Sequence, residues 1–498
     1  MEHHAVEFTT QHLIALLPLL VTCATVVLVM LAIAWKRSHS MTFVLSVIGL
    51  NAALLSLLPT LGVTPLQVTP LMQIDTFACY YMALVLIATL ACVTLTHAYL
   101  GEATVSDGQT KGYPRNREEM YLLLLLSAAG GLVLVSTEHL AGLFIGLELL
   151  SVPVYGLVAY SYFNRRSLEA GMKYLVLSAA GSAILLFGMA LLYAQSGSLN
   201  FADIGMQMDA PASTGLLMEI GLGMLIVGLG FKLSLVPFHL WTPDVYEGSP
   251  APVGAFLATA SKVAVFAVLV RVFQTMPMAS DDGWLHDAIA FIAIASMLVG
   301  NLLALMQSNL KRLLGYSSIS HFGYLLVAVA SGEGLSMEAV AVYLVTYVFT
   351  SLGAFGVITL MSSPSNGQRD ADALFEYRGL FWRRTYLTAA LTVMMLSLAG
   401  IPLTAGFIGK FYVITVGVEA GMWWQTAAIV LGSAIGLFYY LRVMVTLYLT
   451  EQGLQRHDAP MNWGQRAGGV MLIAISIATF VLGVYPQPLL QLAQLTVF

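Results

Sequence analysis

Glu148, Lys173, Lys232, Lys262 and Lys410 stand inside long apolar runs of this 498-residue sequence. An ionised side chain at the centre of a bilayer costs about 2.5–3.5 kcal/mol even on lenient insertion scales, so such residues carry a functional reading by default. The chemistry they suit is proton transfer. A lysine with an ordinary pKa near about 10.4 must come down by about 3 units to exchange protons at neutral pH, and burial can shift it that far. A carboxylate about 4 Å away returns roughly 4 kcal/mol at an effective dielectric of about 20, so its approach or withdrawal can load or release the proton. Glu148 with a lysine partner is therefore a sufficient switch.

Each candidate also has a plainer reading. Glu148, in LFIGLELLSVP, alone among the 26 acidic residues sits deep within an apolar run, and its alternative is a structural ion pair. Lys262, in ATASKVAVF, is central in its run. Lys232, in GLGFKLSLVPFHLWTP, combines depth with Gly and Pro; it is the first choice for the central site, its alternative a lysine held by freed carbonyls. Lys410, in SLAGIPLTAGFIGKFYV, is expected at the equivalent place in a second interrupted run. Lys173 is near a helix end and either functions or snorkels, while Arg442 snorkels or holds a loop. His239, in VPFHLW, and His321, in SSISHFGY, are candidates for proton relay or for hydrogen-bonded packing.

The elements that must position these groups are membrane helices. Hydrophobic residues make up 58% of the chain and charged residues 9%, against about 25% charged in soluble domains. Apolar runs near 13–35, 41–60, 75–100, 120–136, 139–160, 168–195, 215–240, 250–272, 285–305, 311–331, 337–362, 386–416, 424–449 and 467–485 predict fourteen spans in one all-α membrane domain. The seventh and twelfth spans each contain Gly, Pro and one lysine, a pattern that breaks a helix and exposes backbone dipoles. Grouping gives N-terminal helices over 13–100, five-helix repeats over 120–272 (helices 4–8) and 285–449 (helices 9–13), and a last helix at 467–485. The broken helix is fourth in each repeat, and an odd span number inverts the second against the first.

Sidedness follows from the basic residues. Lys36, Arg37, Lys111, Arg115, Arg117, Arg165, Arg166, Lys311, Arg312, Arg369, Arg378, Arg383, Arg384, Arg456 and Arg466 all fall in odd-numbered connections, fifteen of the 21 in the chain. The even connections and both tails hold none. Because short cytoplasmic loops collect Lys and Arg, both termini are expected on the periplasmic side. The acidic N-terminus, MEHHAVEFTTQH, lacks the basic leader of a signal peptide, so the first run is expected to be a retained span.

The stretches GLELLSVP, EAGMKYLVLSAAGSA, GLGFKLSLVPFHLWTPDVYEGSPAPV, ATASKVAVF, NLKRLLGYSSISHFGYLL and SLAGIPLTAGFIGKFYV together resemble the antiporter-like membrane subunits of respiratory complex I. The likeness runs over nearly the whole chain. It implies a proton-translocating subunit of a bacterial NADH:quinone oxidoreductase in the inner membrane, driven by quinone reduction elsewhere. By matching motifs, Glu148 and Lys173 would form a pair tuning Lys232, with Lys262 leading on to Lys410. The short tail after the last helix and a lysine at position 410 distinguish it from paralogues L and M. The resemblance further implies membrane-arm partners, especially subunits M, K and J, and no cofactor in this chain; flavin, iron-sulfur clusters and quinone would lie on other subunits.

Cys23, Cys79 and Cys92 form no CxxC or Cys/His group, and no nucleotide or zinc-hydrolase motif occurs. The charge of −5 with no basic patch argues against nucleic acid, leaving the lipid bilayer and membrane subunits as partners. Rival readings are a subunit of a multisubunit sodium/proton antiporter or membrane-bound hydrogenase, a solitary solute transporter, and a structural or quinone-holding subunit.

Overall fold

A computed structural model describes residues 9–101, 117–208, 215–276, 284–332, 335–362, 370–449 and 463–497. The chain opens with α1 (Thr10–Ala15), α2 (Leu17–Trp35) and α3 (His39–Leu61), then a small antiparallel hairpin, β1 (Leu66–Thr69) with β2 (Met72–Ile74). There follow α4 (Thr76–Leu100), α5 (Glu119–Val135), α6 (Leu140–Val158), α7 (Arg165–Ser196), the short α8 (Phe201–Met208), α9 (Leu216–Leu233) and α10 (Trp241–Gly248). A central span comprises α11 (Ala251–Phe256), one π-helical turn (Leu257–Ser261) and α12 (Lys262–Thr275). The second half contains α13 (Trp284–Leu305), α14 (Leu310–Ala330), α15 (Ser336–Met361), α16 (Thr385–Ala399), α17 (Ala405–Glu419), α18 (Trp423–Tyr448), α19 (Trp463–Val484) and α20 (Gln487–Ala493).

Every expected apolar run carries helix. Twelve helical segments among the described residues are long and apolar enough to cross a membrane, and Glu119–Val135 and Thr385–Ala399 are shorter apolar helices. In hydrocarbon each polar group must be satisfied within the protein, and hydroxyls comply by bonding back along their own helices. Thr22 donates to the Pro18 carbonyl at 2.7 Å, and Thr89 to that of Val85 at 2.7 Å. Helices approach closely at small residues: a Cβ on Gly130 would fall 2.3 Å from the Leu150 backbone nitrogen, so α5 and α6 touch backbone to backbone.

Burial separates core from periphery. The most apolar 18 residues of Ala251–Thr275 are all buried, whereas only 22% of the corresponding stretch is buried in Leu17–Trp35 and in Gln465–Val484. Lys262 thus lies on the innermost helix and the first and last spans on the rim. Met72 bridges Thr137 and His139 bridges Asn200, joining even connections to one another, and Asn309 bridges Ala373, joining two odd ones. Of the odd-connection cations, Lys111, Arg115, Arg369 and Arg456 lie outside the described residues.

Candidate functional site

Both interrupted runs break at the same backbone device. α9 ends at Ser234, in the left-handed region at φ 65°, and α16 ends at Gly400, at φ 82°. The next amide reaches back in each case: Leu235 N–H donates to Gly230 O at 2.8 Å, and Ile401 N–H to Leu396 O at 3.0 Å. This closure satisfies part of a helix end stranded within the protein. The lysines, however, are not at equivalent places. Lys232 lies in the last turn before its break, and Lys410 lies beyond its own, on α17.

Lys232 is buried, and its Nζ donates to Ser151 Oγ on α6 at 2.8 Å and to Ser178 Oγ on α7 at 2.7 Å. Ser178 also shares a 2.9 Å hydrogen bond with the Tyr155 hydroxyl. One turn along α7 from Ser178, Ser182 donates to Glu148 Oε1 at 2.6 Å. Residues three or four apart share a helix face, so Glu148 with Ser151 and Ser178 with Ser182 form two facing stripes. Glu148 is half-buried rather than deep, between the exposed Ile145 and Leu149 of α6. Ser182 thus bonds the Glu148 carboxylate, while Ser151 and Ser178 bond the Lys232 ammonium.

A denser network runs from the central span into the second half. Lys262 begins α12 directly after the π-turn, an irregularity that recurs at functional sites. Its Nζ donates to Ser318 Oγ at 2.7 Å and stands 4.8 Å from the Phe322 ring centroid. Ser318 also accepts from the Tyr347 hydroxyl at 2.8 Å. One turn along α14, His321 has a hydroxyl at each ring nitrogen: Tyr343 at 2.6 Å from Nδ1 and Tyr440 at 3.1 Å from Nε2. Tyr440 continues to Ser317. Lys410 Nζ donates to Leu398 O at 2.9 Å and Ala399 O at 3.0 Å, the carbonyls left free where α16 ends, and faces the Tyr324 ring.

Residues 137–436 match the family described as NADH:quinone oxidoreductase/Mrp antiporter, TM. The NADH-quinone oxidoreductase subunit N of Ectopseudomonas mendocina (strain ymp) is 72% identical over 493 residues, covering 99% of this chain and 98% of its own. The chain belongs to the subunit N family. Its counterpart in Chromohalobacter salexigens is 60% identical over 478 residues, 96% of this chain and 98% of that one. A chain in the structure of respiratory complex I from Thermus thermophilus with bound aureothin superposes with TM-score 0.79 at 34% identity, covering 95% of this chain and 98% of that one.

In this member of the subunit N family Lys173 departs from the expected pairing. Its Nζ contacts Glu169 at 2.7 Å and Asp244 at 2.8 Å, and its side chain is 41% exposed. It is an ion-paired residue near the helix end, and its partners are Glu169 and Asp244 rather than Glu148. His239 is buried in the segment between α9 and α10, and its Nδ1 has no hydrogen-bond partner among the described residues. Arg442 holds a connection, donating to Leu305 O at 2.9 Å and Gln307 O at 2.7 Å where α13 ends.

Two further cations in this subunit N chain are almost completely buried. Arg271 is 1% exposed and forks onto Asp75 at 2.8 and 2.9 Å, with Glu138 at 2.7 Å. Lys311, expected in a connection, is 2% exposed and pairs with Asp370 at 2.8 Å while donating to Ser249 O at 2.9 Å. The serines that hold Lys232 and Lys262, and the tyrosines that bond those serines, carry no motif of their own. Their signal was spacing: Ser151 lies three residues after Glu148, and Ser178 and Ser182 lie four apart. Among the described residues no group of three His, Cys, Asp or Glu side chains is arranged to hold a metal.

Proposed function

We propose that the chain is a proton-translocating membrane-arm subunit of a bacterial NADH:quinone oxidoreductase, with protons carried through Lys232, Lys262 and Lys410. One contrast supports this most. Among the described residues, Lys232, Lys262 and Lys410 are buried on neutral hydroxyls and carbonyls, whereas buried Arg271 and Lys311 are paired with carboxylates. A buried cation beside a carboxylate is locked in its charged form, because removing either charge strands the other. A buried ammonium on neutral oxygens can lose its proton and leave a neutral, still hydrogen-bonded amine.

Within that reading Glu148 biases Lys232 through its field, and His321 relays protons between Tyr343 and Tyr440. An imidazole with a hydroxyl at each nitrogen takes a proton on one side and releases one on the other. In this reading the chain spans the inner membrane fourteen times, counting the two shorter apolar helices, with both termini periplasmic, which the distribution of basic residues supports. It carries no redox centre; flavin, iron-sulfur clusters and quinone reduction belong to other subunits, and its neighbours are membrane-arm subunits, M, K and J foremost.

The test is Lys232→Arg in the whole complex. Arginine keeps the charge but stays protonated at any accessible pH, its pKa exceeding about 12. Complexes shown to be assembled on a native gel should lose most proton pumping per electron. Normal pumping in them would overturn the assignment of Lys232.

A further inference from the structure

Outside the three buried lysines, the densest set of charged contacts lies around α10, the short helix beyond the first break. Asp244 and Glu247 stand three residues apart on it. Asp244 receives Lys173 of α7 at 2.8 Å and Arg312 of α14 at 2.6 Å. Glu247 receives Arg166 of α7 at 3.2 Å and the same Arg312 nitrogen at 3.0 Å. Arg312 Nε donates in addition to Gln307 Oε1 at 3.1 Å. One guanidinium thus bridges two carboxylates, and each carboxylate is shared between α7 and α14.

Each of those two helices carries one serine that accepts from a buried lysine. Ser178, an acceptor for Lys232, follows Lys173 on α7. Ser318, the acceptor for Lys262, follows Arg312 on α14. Proton transfer is acutely sensitive to such distances, since a misplacement of about 1 Å can cost about 100-fold in rate. Exposed ion pairs contribute little, and the outer pair of Glu169 and Lys173, 64% and 41% exposed, falls in that class. The inner members differ: Arg312, Asp244 and Glu247 are 25%, 34% and 21% exposed. Burial disfavours the Asp244 carboxylate, yet Lys173 and Arg312 outweigh it and hold the group below its usual range.

We propose that Arg312, by bridging Asp244 and Glu247, is a positioning residue that fixes α14 against α7 through α10, and so sets the site of Lys232 and Ser178 against that of Lys262 and Ser318. The proposal rests on the proton-transfer role of Lys232 and Lys262. Arg312 acts through its partners and itself moves no proton.

The experiment uses the intact complex in membrane vesicles carrying Arg312→Gln, Arg312→Lys, Glu247→Gln, or Arg312→Gln with Glu247→Gln. NADH oxidation by an artificial acceptor reports the redox arm, and acidification reports protons moved per electron. With assembly confirmed on a native gel, Arg312→Gln should leave acceptor reduction unchanged and lower protons per electron by about threefold or more. Arg312→Lys should recover part of the loss. The double variant should be no worse than the poorer single one, since both break the same bridge. Wild-type pumping in assembled Arg312→Gln complexes, or fully additive losses in the double variant, would overturn the proposal. If Arg312→Gln fails to assemble, Glu247→Gln decides it alone, since it removes one arm of the bridge and leaves the Asp244 contact: reduced pumping supports the bridge and wild-type pumping sinks it. Should Lys232→Arg abolish pumping while Arg312→Gln does not, only the bridge is refuted. Normal pumping in Lys232→Arg would refute the lysine assignment instead.

Discussion

Lys410 reaches back across a broken helix to donate to the carbonyl of Ala399 at 3.0 Å, so the ammonium caps the end of a helix that precedes it in the chain. A cation is favoured there because the free carbonyls at a helix C-terminus carry partial negative charge. Lys232 uses no such device and turns instead to serines of two neighbouring helices. The two halves place a lysine near a break by different means.

The carbonyl seat of Lys410 depends on Gly400. A Cβ there would fall 2.7 Å from Lys410 Cδ, and the residue has φ +82°. Gly400→Ala should therefore destabilise the subunit by about 1 kcal/mol and displace the lysine, lowering pumping without loss of assembly. Thermal unfolding of the purified complex and vesicle acidification measure the two effects; unchanged values of both would show that the seat tolerates a methyl group.

Ser178 accepts from Lys232 at 2.7 Å, and Ser178→Ala removes that partner while leaving Ser151. Losing one hydrogen bond to a buried charged group costs about 1.5–3 kcal/mol, which disfavours the ammonium. Coupled turnover should fall about tenfold or more, and its pH profile should move to lower pH, because the proton on Lys232 is held less tightly. A profile identical to the wild type would disconnect the serine from the titrating site.

His321 stands between two tyrosines, so His321→Gln keeps hydrogen-bonding groups but loses the titrating ring. Pumping should drop severalfold in assembled complexes, while Tyr343→Phe and Tyr440→Phe should each reproduce part of that loss. If Tyr440→Phe alone matches wild type, the path does not leave His321 through Tyr440.

Arg271 belongs to structure rather than transport. Arg271→Leu would strand Asp75, which also accepts from Ala78 N–H at 2.7 Å to cap α4, and should cost about 3–5 kcal/mol. Loss of assembled complex on a native gel is the expected result. Arg271→Lys should be intermediate, since lysine cannot fork onto both carboxylate oxygens.

Sidedness can be tested with single cysteines. Position 378 should label from the cytoplasm and position 209, which lies outside the described residues, from the periplasm. Labelling of both from one side would refute the fourteen-span arrangement.

The sequence alone carried the membrane class, the places of the helices, the two breaks and three of the buried lysines, Lys232, Lys262 and Lys410. Long apolar runs, Gly-Pro interruptions and ionisable residues inside hydrocarbon are each local signals, legible one segment at a time. What each lysine touches was not legible. Partners such as Lys262 with Ser318, or Arg271 with Asp75, lie far apart in sequence, and depth in a run does not determine which way a side chain faces. The tertiary packing therefore decided that Lys173 is ion-paired with Asp244, that Lys311 is buried, that Glu148 is only half-buried and that Lys410 follows its break. The physical reason is that a helix's own residues set its length and location, whereas the direction of its polar face is set by whichever helices pack against it.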